Sequence, residues 1–190
     1  MGRPNETLHA WRHPRVEGAR DRCIGRTELP VDARRARRLA HRIRAFARRH
    51  RLPRIVVTSP LARSHAVGRW LARWGWQHRV DAGLSELDFG QWDGRRWAEL
   101  PVPELEAWSA DFTGYRPGGG ESVAALLQRV RAFDPGAARI VVTHGGWLSA
   151  AIRLARETDG VDRALRSEDW PPAPLHGARV DLPLRDPTAQ

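Results

Sequence analysis

The sequence predicts an α/β fold: a three-layer α/β/α sandwich built on a mostly parallel central sheet. Two observations carry this expectation. Arg54-Ile55-Val56-Val57-Thr58 is a β-branched run too short for a helix and is halted by Ser59-Pro60, which reads as a buried parallel strand. The same grammar returns at Arg139-Ile140-Val141-Val142-Thr143, just before His144-Gly145-Gly146. Strand-loop-helix units that follow one another along a chain pack as helices against a parallel sheet. The 190 residues, 41% of them hydrophobic, suit a single domain over 1–190, with its core at about 7–184 and frayed termini.

The elements follow in order. Thr7 to Trp11 alternates in polarity and ends at Arg12-His13-Pro14. Pro14 biases the residue before it away from helix, so a short strand runs into a loop that continues to Pro30. From Asp32, a good N-cap, Ala36, Leu39, Ala40, Ile43, Phe46 and Ala47 recur at helical spacing while Arg fills the other face, giving a helix to about His50. A second helix spans Ala62 to Trp74. A third covers Glu121 to Phe133, after the Gly118-Gly119-Gly120 breaker, with Val123, Leu126, Leu127 and Val130 on one face. A fourth runs from about Trp147 to Arg156, and Ala178 to Leu184 suits a final edge strand after the proline-rich Trp170 to Pro174.

Composition restricts partners less than it first suggests. The 32 basic residues exceed the 22 acidic ones by 10, and every basic residue is Arg. A chain that uses Arg wherever Lys would serve looks more like a nucleic-acid binder than it is, so the charge points to anionic partners without naming one. The lone Cys23 excludes an internal disulfide framework and a Cys-based zinc finger, and no metal-ligand spacing is present. Neither cofactor nor metal is expected. The start M-G-R-P-N-E lacks the apolar core of a signal peptide, and no apolar run approaches the roughly 20 residues that cross a bilayer. The expectation is a cytoplasmic protein with no membrane partner.

In parallel sheets, ligands sit at the carboxyl ends of the strands. Here those ends carry Arg12-His13, then Ser59 with Arg63 a few positions on, and His144. Two guanidiniums match a phosphoryl group bidentately and strengthen their hold as charge builds on its oxygens. One neutral imidazole can attack phosphorus and the other can donate a hydrogen bond. An acid for the departing alkoxide is offered by Glu86 or Asp88, and these residues alone do not separate the two.

Six motifs in order resemble the histidine phosphatase superfamily, the phosphoglycerate mutase-like or R-H-G family, over roughly Leu8 to Ala155. They are Trp11-Arg12-His13, Cys23 to Pro30, Thr58 to Arg63, Leu84-Ser85-Glu86 with Phe89 to Gly94, Gly120-Glu121-Ser122, and Val142 to Gly145. The likeness is greatest to the α-ribazole phosphatase branch, which implies α-ribazole 5'-phosphate as substrate and a place in cobalamin biosynthesis, with a broad-specificity phosphatase as the alternative. The resemblance implies a phosphoglycerate mutase-like fold and a metal-independent phosphomonoesterase. In that reading His13 is the nucleophile, Arg12 and Arg63 bind phosphate, His144 is the second histidine, and Glu86 protonates the leaving group. The substrate is a small phosphorylated metabolite, and the oligomeric state is not specified. Four positions depart from the pattern: Pro14 stands for a glycine, Arg15-Val16 for Glu-Thr, and Ala19 for a frequent asparagine.

Other features take plainer readings. Ser59 is expected to cap the helix that follows it. The Gly118-Gly119-Gly120 run is expected to be a flexible turn rather than a phosphate cradle, because no Lys-Ser/Thr follows it. Cys23 is expected to be a buried or pocket-side thiol. Most of the nine Trp, including Trp70 and Trp74, should be core, with Trp11, Trp92 or Trp97 stacking on an aromatic substrate group. The rival to catalysis is a disabled family member that binds a polyanion or nucleic acid through its basic surface. The helix from Asp32 carries eight Arg, and no acidic residue occurs between Ala33 and Val80, but such a run is more often a solvated face. Nucleic acid is therefore not the expected partner.

Overall fold

Alternation along three short strands decides which helices lie on which face of the sheet. The computed structural model describes residues 7–156 and 165–184; the predicted frayed termini fall largely outside this range. The strands are β1 (Thr7–Arg12), β2 (Ile55–Thr58), β3 (Gln77–Val80), β4 (Ile140–Thr143) and β5 (Arg179–Pro183), ordered β3-β2-β4-β1-β5. Every pairing is parallel except that of β5, which closes the edge antiparallel to β1.

The helices are α1 (Ala33–Arg49), α2 (Ala62–Arg73), α3 (Val102–Ala110), α4 (Val123–Arg131) and α5 (Gly145–Ala155). Successive strand residues point to opposite faces. Trp11, Val56, Ile140 and Val142 therefore pack with Leu39 and Ile43 of α1 and with Val67 and Leu71 of α2. Leu8, Ala10, Val57 and Val141 pack with Leu126 and Val130 of α4 and with Leu148 and Ala151 of α5. This is the expected α/β arrangement of helices on both faces of a mostly parallel sheet, each fully buried Leu or Ile contributing about 1.5–3 kcal/mol. Asp32 caps α1 by accepting from the Arg34 and Arg35 amides.

Two elements carry no pattern that sequence reading could find. β3 has the exposed sequence Gln77-His78-Arg79-Val80 and is held by backbone pairing to β2. No residue of α3 is buried, so that helix shows no apolar period. It closes a third, smaller cluster of Cys23, Trp92 and Leu100 with Phe89, Leu105, Trp108 and Tyr115 around it.

The structure corrects two readings of loops and rings. The Gly118-Gly119-Gly120 run is not a loose turn. Gly118 sits at φ 57°, and a side chain there would strike the backbone of Phe89, Gln91 and Trp92, so the run is pressed against the Phe89–Trp92 segment. Trp92 is only 1% exposed. Its Nε1–H donates to Glu104 at 2.6 Å and its ring meets Trp108 edge-on, so it belongs to the core and offers no face to a ligand. Trp11 is likewise buried, with its ring edge-on to Phe46. Trp97 is partly exposed and stacks on Trp108. Trp70 and Trp74 are half-buried at the rim of the α1–α2 layer, where Arg37 and Arg73 lie over the first and Arg44 over the second.

Candidate active site

Because β1, β2 and β4 run parallel, their carboxyl ends share one edge of the sheet. The register sets Arg12 beside Thr143 and Thr58 beside Val142. The next residue of each strand therefore enters the same space: His13, Ser59 and His144.

His13 extends the ladder by donating its backbone N–H to Thr143 O at 2.9 Å. Its Nδ1 lies 2.8 Å from Pro14 O, and a carbonyl can only accept, so Nδ1 carries the proton and Nε2 carries a lone pair. Nε2 makes no hydrogen bond among the described residues. Pro14 lacks an amide N–H, but it keeps the carbonyl that fixes this tautomer. The unusual proline therefore leaves the imidazole orientation intact.

His144 is fully buried at the N-cap of α5. Arg63 Nε donates to its Nδ1 at 3.2 Å, which places the proton of the neutral ring on Nε2, and Nε2–H then donates to Ser59 Oγ at 2.6 Å. The expected capping role of Ser59 is thereby corrected. The N-cap of α2 is Leu61, which makes no side-chain bond, and the Glu28 carboxylate receives the Ala62 amide instead. The two imidazole centroids are 5.0 Å apart.

The guanidiniums are held from outside the pocket. Arg63, in the first turn of α2, donates to Thr27 O at 2.9 Å and to Gly25 O at 2.5 Å. That loop is itself organised by Asp93, whose carboxylate accepts from Gly25 N, Arg26 N, Thr27 N and Thr27 Oγ1. Arg12 donates Nη1 to Pro174 O at 2.7 Å, while its Nε is buried with no partner among the described residues. This leaves a donor for an incoming oxygen.

Glu86 is 8% exposed and lies at the start of α5. Gly146 N donates to its Oε2 at 3.1 Å and Leu87 N to its Oε1 at 3.0 Å. A side chain at Gly146 would collide with Glu86 Oε1, so a glycine is what lets the carboxylate sit against the helix N-terminus. Asp88, the other candidate acid, instead receives Gly90 N–H at an exposed turn. The segment that carries Glu86 is tied down by Arg129, which donates to Gly83 O, Ser85 O and Glu86 O while paired to both carboxylate oxygens of Glu121.

These surroundings set the charges. Burial holds His13 well below its ordinary value, with Arg63 adding to the effect. His144 is lowered in the same way, by burial first and then by His13 and Arg63. Burial also lowers Arg12 and Arg63, and Glu86 opposes that shift in both, yet guanidiniums remain charged in proteins. Near neutral pH the pocket thus combines two cations, two neutral imidazoles and a helix N-terminus. It can hold a tetrahedral oxyanion and present a ring nitrogen to it.

The structure brings Arg12, His13, Arg63, Glu86 and His144 to one place. Sequence reading missed four contributors. Asp93 and Glu121 stood inside quoted motifs with no part in the site, and Arg129 belonged to no motif. His176 arrives from the segment before β5, beyond the span of the resemblance, and its ring is 5.1 Å from that of His13. Cys23 is a buried thiol, its pKa raised by burial and by Asp93 and Glu86. Among the described residues no three His, Cys, Asp or Glu side chains converge as a metal site.

Comparison with known proteins agrees with this geometry. The chain matches the histidine phosphatase superfamily (branch 1) over residues 8–166. It is 41% identical over 110 residues to the bifunctional protein Rv2228c of Mycobacterium tuberculosis, an alignment covering 53% of this chain and 30% of that protein. Among solved structures, a phosphoglycerate mutase from Thermus thermophilus is 29% identical with a TM-score of 0.65, covering 92% of this chain and 91% of the other. TTHB049 from the same organism is 28% identical with a TM-score of 0.64, covering 92% of both chains. The mycobacterial glucosyl-3-phosphoglycerate phosphatase Rv2419c shares the fold at 24% identity and a TM-score of 0.63, over 79% of this chain and 80% of that one.

Proposed function

Because this chain belongs to the histidine phosphatase superfamily, branch 1, we propose that it hydrolyses a small phosphorylated metabolite, a phosphomonoester, through a phosphohistidine intermediate and without a metal. One observation carries the proposal. His13 Nε2 makes no hydrogen bond among the described residues, its tautomer is fixed by Pro14 O at 2.8 Å, and its ring lies 5.0 Å from that of His144, to which Arg63 donates. A neutral imidazole ready before substrate arrives is what nucleophilic attack on phosphorus requires.

In the first step His13 Nε2 forms a bond to phosphorus as the ester P–O bond breaks. The electron pair leaves with the alkoxide oxygen, which takes a proton that the phosphomonoester monoanion brings in and the Glu86 carboxylate relays. Arg12 and Arg63 neutralise the charge that builds on the equatorial oxygens, and His144 Nε2–H turns from Ser59 towards one of them. In the second step water attacks the phosphoryl group, Glu86 takes its proton, and the P–N electron pair returns to Nε2.

The motif resemblance keeps α-ribazole 5'-phosphate as a candidate substrate, but the burial of Trp11 and Trp92 leaves Trp97 as the one remaining stacking candidate of the three. The mutase and phosphatase likenesses leave a broad-specificity phosphatase as the simplest reading. A pocket with all five side chains in place favours turnover over the polyanion-binding alternative. The single buried Cys23 suits a reducing compartment, the cytoplasm in this reading, and among the described residues no helix is long and apolar enough to cross a membrane.

The test is turnover of a chromogenic phosphomonoester in EDTA, with acid-labile, base-stable phosphate trapped on residue 13 by rapid mixing. His13→Ala should abolish both signals. Release without a trapped intermediate, or release that persists in His13→Ala, would refute the covalent route. No release from the wild type across several phosphomonoesters would refute the phosphatase reading itself.

A further inference from the structure

The loop that departs from the family pattern borders a cleft beside the nucleophile. Residues 15–20, Arg35 and His176 line a surface depression of about 640 Å³. It adjoins the site through His176, whose ring is 5.1 Å from that of His13. Its charged members are Arg15, Arg20 and Arg35 against Glu17, three guanidiniums to one carboxylate.

The cations differ in how far they are already engaged. Arg35 pairs with Asp32 at 3.5 Å and donates to Arg15 O at 3.3 Å, which fastens α1 to the loop. Arg20 lies 3.5 Å from Asp21 on the exposed side. The Arg15 guanidinium has no ion-pair partner among the described residues, and its charge helps hold His176 down at about 4, after burial and Arg12. The loop is anchored by Val16, which is 4% exposed. Arg15 is thus an exposed cation with no ion-pair partner among the described residues, two residues from the nucleophile, on a loop whose backbone is held by Val16 and Arg35.

We propose that this cleft is a second anion subsite, so that the enzyme prefers phosphomonoesters carrying a further carboxylate or phosphate on the leaving group. The inference rests on the phosphatase reading and adds a substrate class to it. The scissile phosphate takes Arg12 and Arg63; the distal anion takes Arg15, flanked by Arg20 and Arg35. A guanidinium fork suits both carboxylate and phosphate, so the shared recognition is for an anionic oxygen group.

The test compares phenyl phosphate with 4-carboxyphenyl phosphate in the wild type, Arg15→Gln, Arg15→Glu and a charge-matched control, Arg49→Glu, at the far end of α1. The readout is the ratio of kcat/KM for the carboxylated over the plain ester, at low and high salt. The ratio should exceed one in the wild type, fall several-fold in Arg15→Gln and about tenfold in Arg15→Glu, and shrink with salt. Arg49→Glu should leave it unchanged. A ratio indifferent to residue 15, or one that Arg49→Glu lowers equally, would overturn the subsite while leaving the phosphatase intact. Failure of both esters to turn over in the wild type would instead remove the reading on which it rests.

Discussion

Asp93 touches neither His13 nor Glu86, yet the geometry makes the Arg63 clamp depend on it. Its carboxylate collects four donors from residues 25–27, and the carbonyls of Gly25 and Thr27 in that same loop hold Arg63. Asp93→Asn preserves shape but leaves one oxygen able to accept two donors at most, and it turns an NH2 towards the others. Two bonds to a charged acceptor are lost at about 1.5–3 kcal/mol each, nearer the lower figure because the loop is partly exposed, or about 3 kcal/mol in all. For a chain of this size that corresponds to a drop in Tm of roughly 6–12 °C. The kinetic consequence is separate. If Arg63 is misaligned, one charge-assisted bond to the transferring phosphoryl group weakens, and a loss of about 1.4–2.8 kcal/mol is a 10- to 100-fold fall in kcat/KM. The assay is steady-state kinetics at about 15 °C, well below the melting range of ordinary domains, beside a thermal melt. An Asp93→Asn enzyme that melts early but turns over like the wild type would show that Asp93 only stabilises the loop, and the positioning argument would fail.

Two further predictions concern the aromatic core and the pH dependence. Trp92→Ala should cost about 3–5 kcal/mol, as expected for truncating a buried Trp, and should leave the ratio of aromatic to aliphatic phosphomonoester turnover unchanged; a selective loss of the aromatic substrate would restore a stacking role. Because His13 and His144 are held well below 6.5 in the folded protein, the unfolded chain binds more protons just below that pH. Stability is then complete above about 6.5 and falls as pH drops towards the folded-state values. Urea titrations at about pH 7.5 and about pH 5.0, on either side of that value, should show the loss and His144→Asn should reduce it; an equal loss in wild type and variant would contradict the assignment.

Where the sequence was informative, it was because a residue's role followed from its own neighbours. The strand-end placement of His13, Ser59 and His144 could be read from two β-branched runs and the rule for parallel sheets. The faces of α1 and α4 could be read from apolar spacing, and the buried residues of both helices are the ones that spacing selects. What could not be read were contacts set by tertiary proximity. Ser59 looked like a cap because capping is a local property, whereas its bond to His144 spans the gap between β2 and β4. β3 and α3 bury almost nothing, so neither leaves a periodic trace. Arg129 lies outside every motif and off the apolar face of α4, and only the path of the 83–86 segment makes it a structural tie. The glycine run was misread for the same reason: a flexible tripeptide in isolation becomes dense once Phe89–Trp92 is laid against it.

The excess of Arg takes on a different meaning once burial is considered. Eight of the 32 guanidiniums lie on the outward face of α1 alone, none of them buried, and their number reflects the absence of Lys from the chain. Arg12 and Arg63 lie in a pocket that also encloses two imidazoles, and four cations could not be kept there against a single carboxylate. Guanidiniums do not yield their protons, so the imidazoles do, and the field that draws in a phosphate also keeps His13 Nε2 unprotonated, with its lone pair free. Anion binding and nucleophile activation are therefore one electrostatic arrangement. On the proposed route it would reverse in part: a bound phosphate dianion would oppose the arginine field, raise the proton affinity of His144 and strengthen the Nε2–H bond it donates, while His13, committed through Nδ1 to Pro14 O, would keep its lone pair.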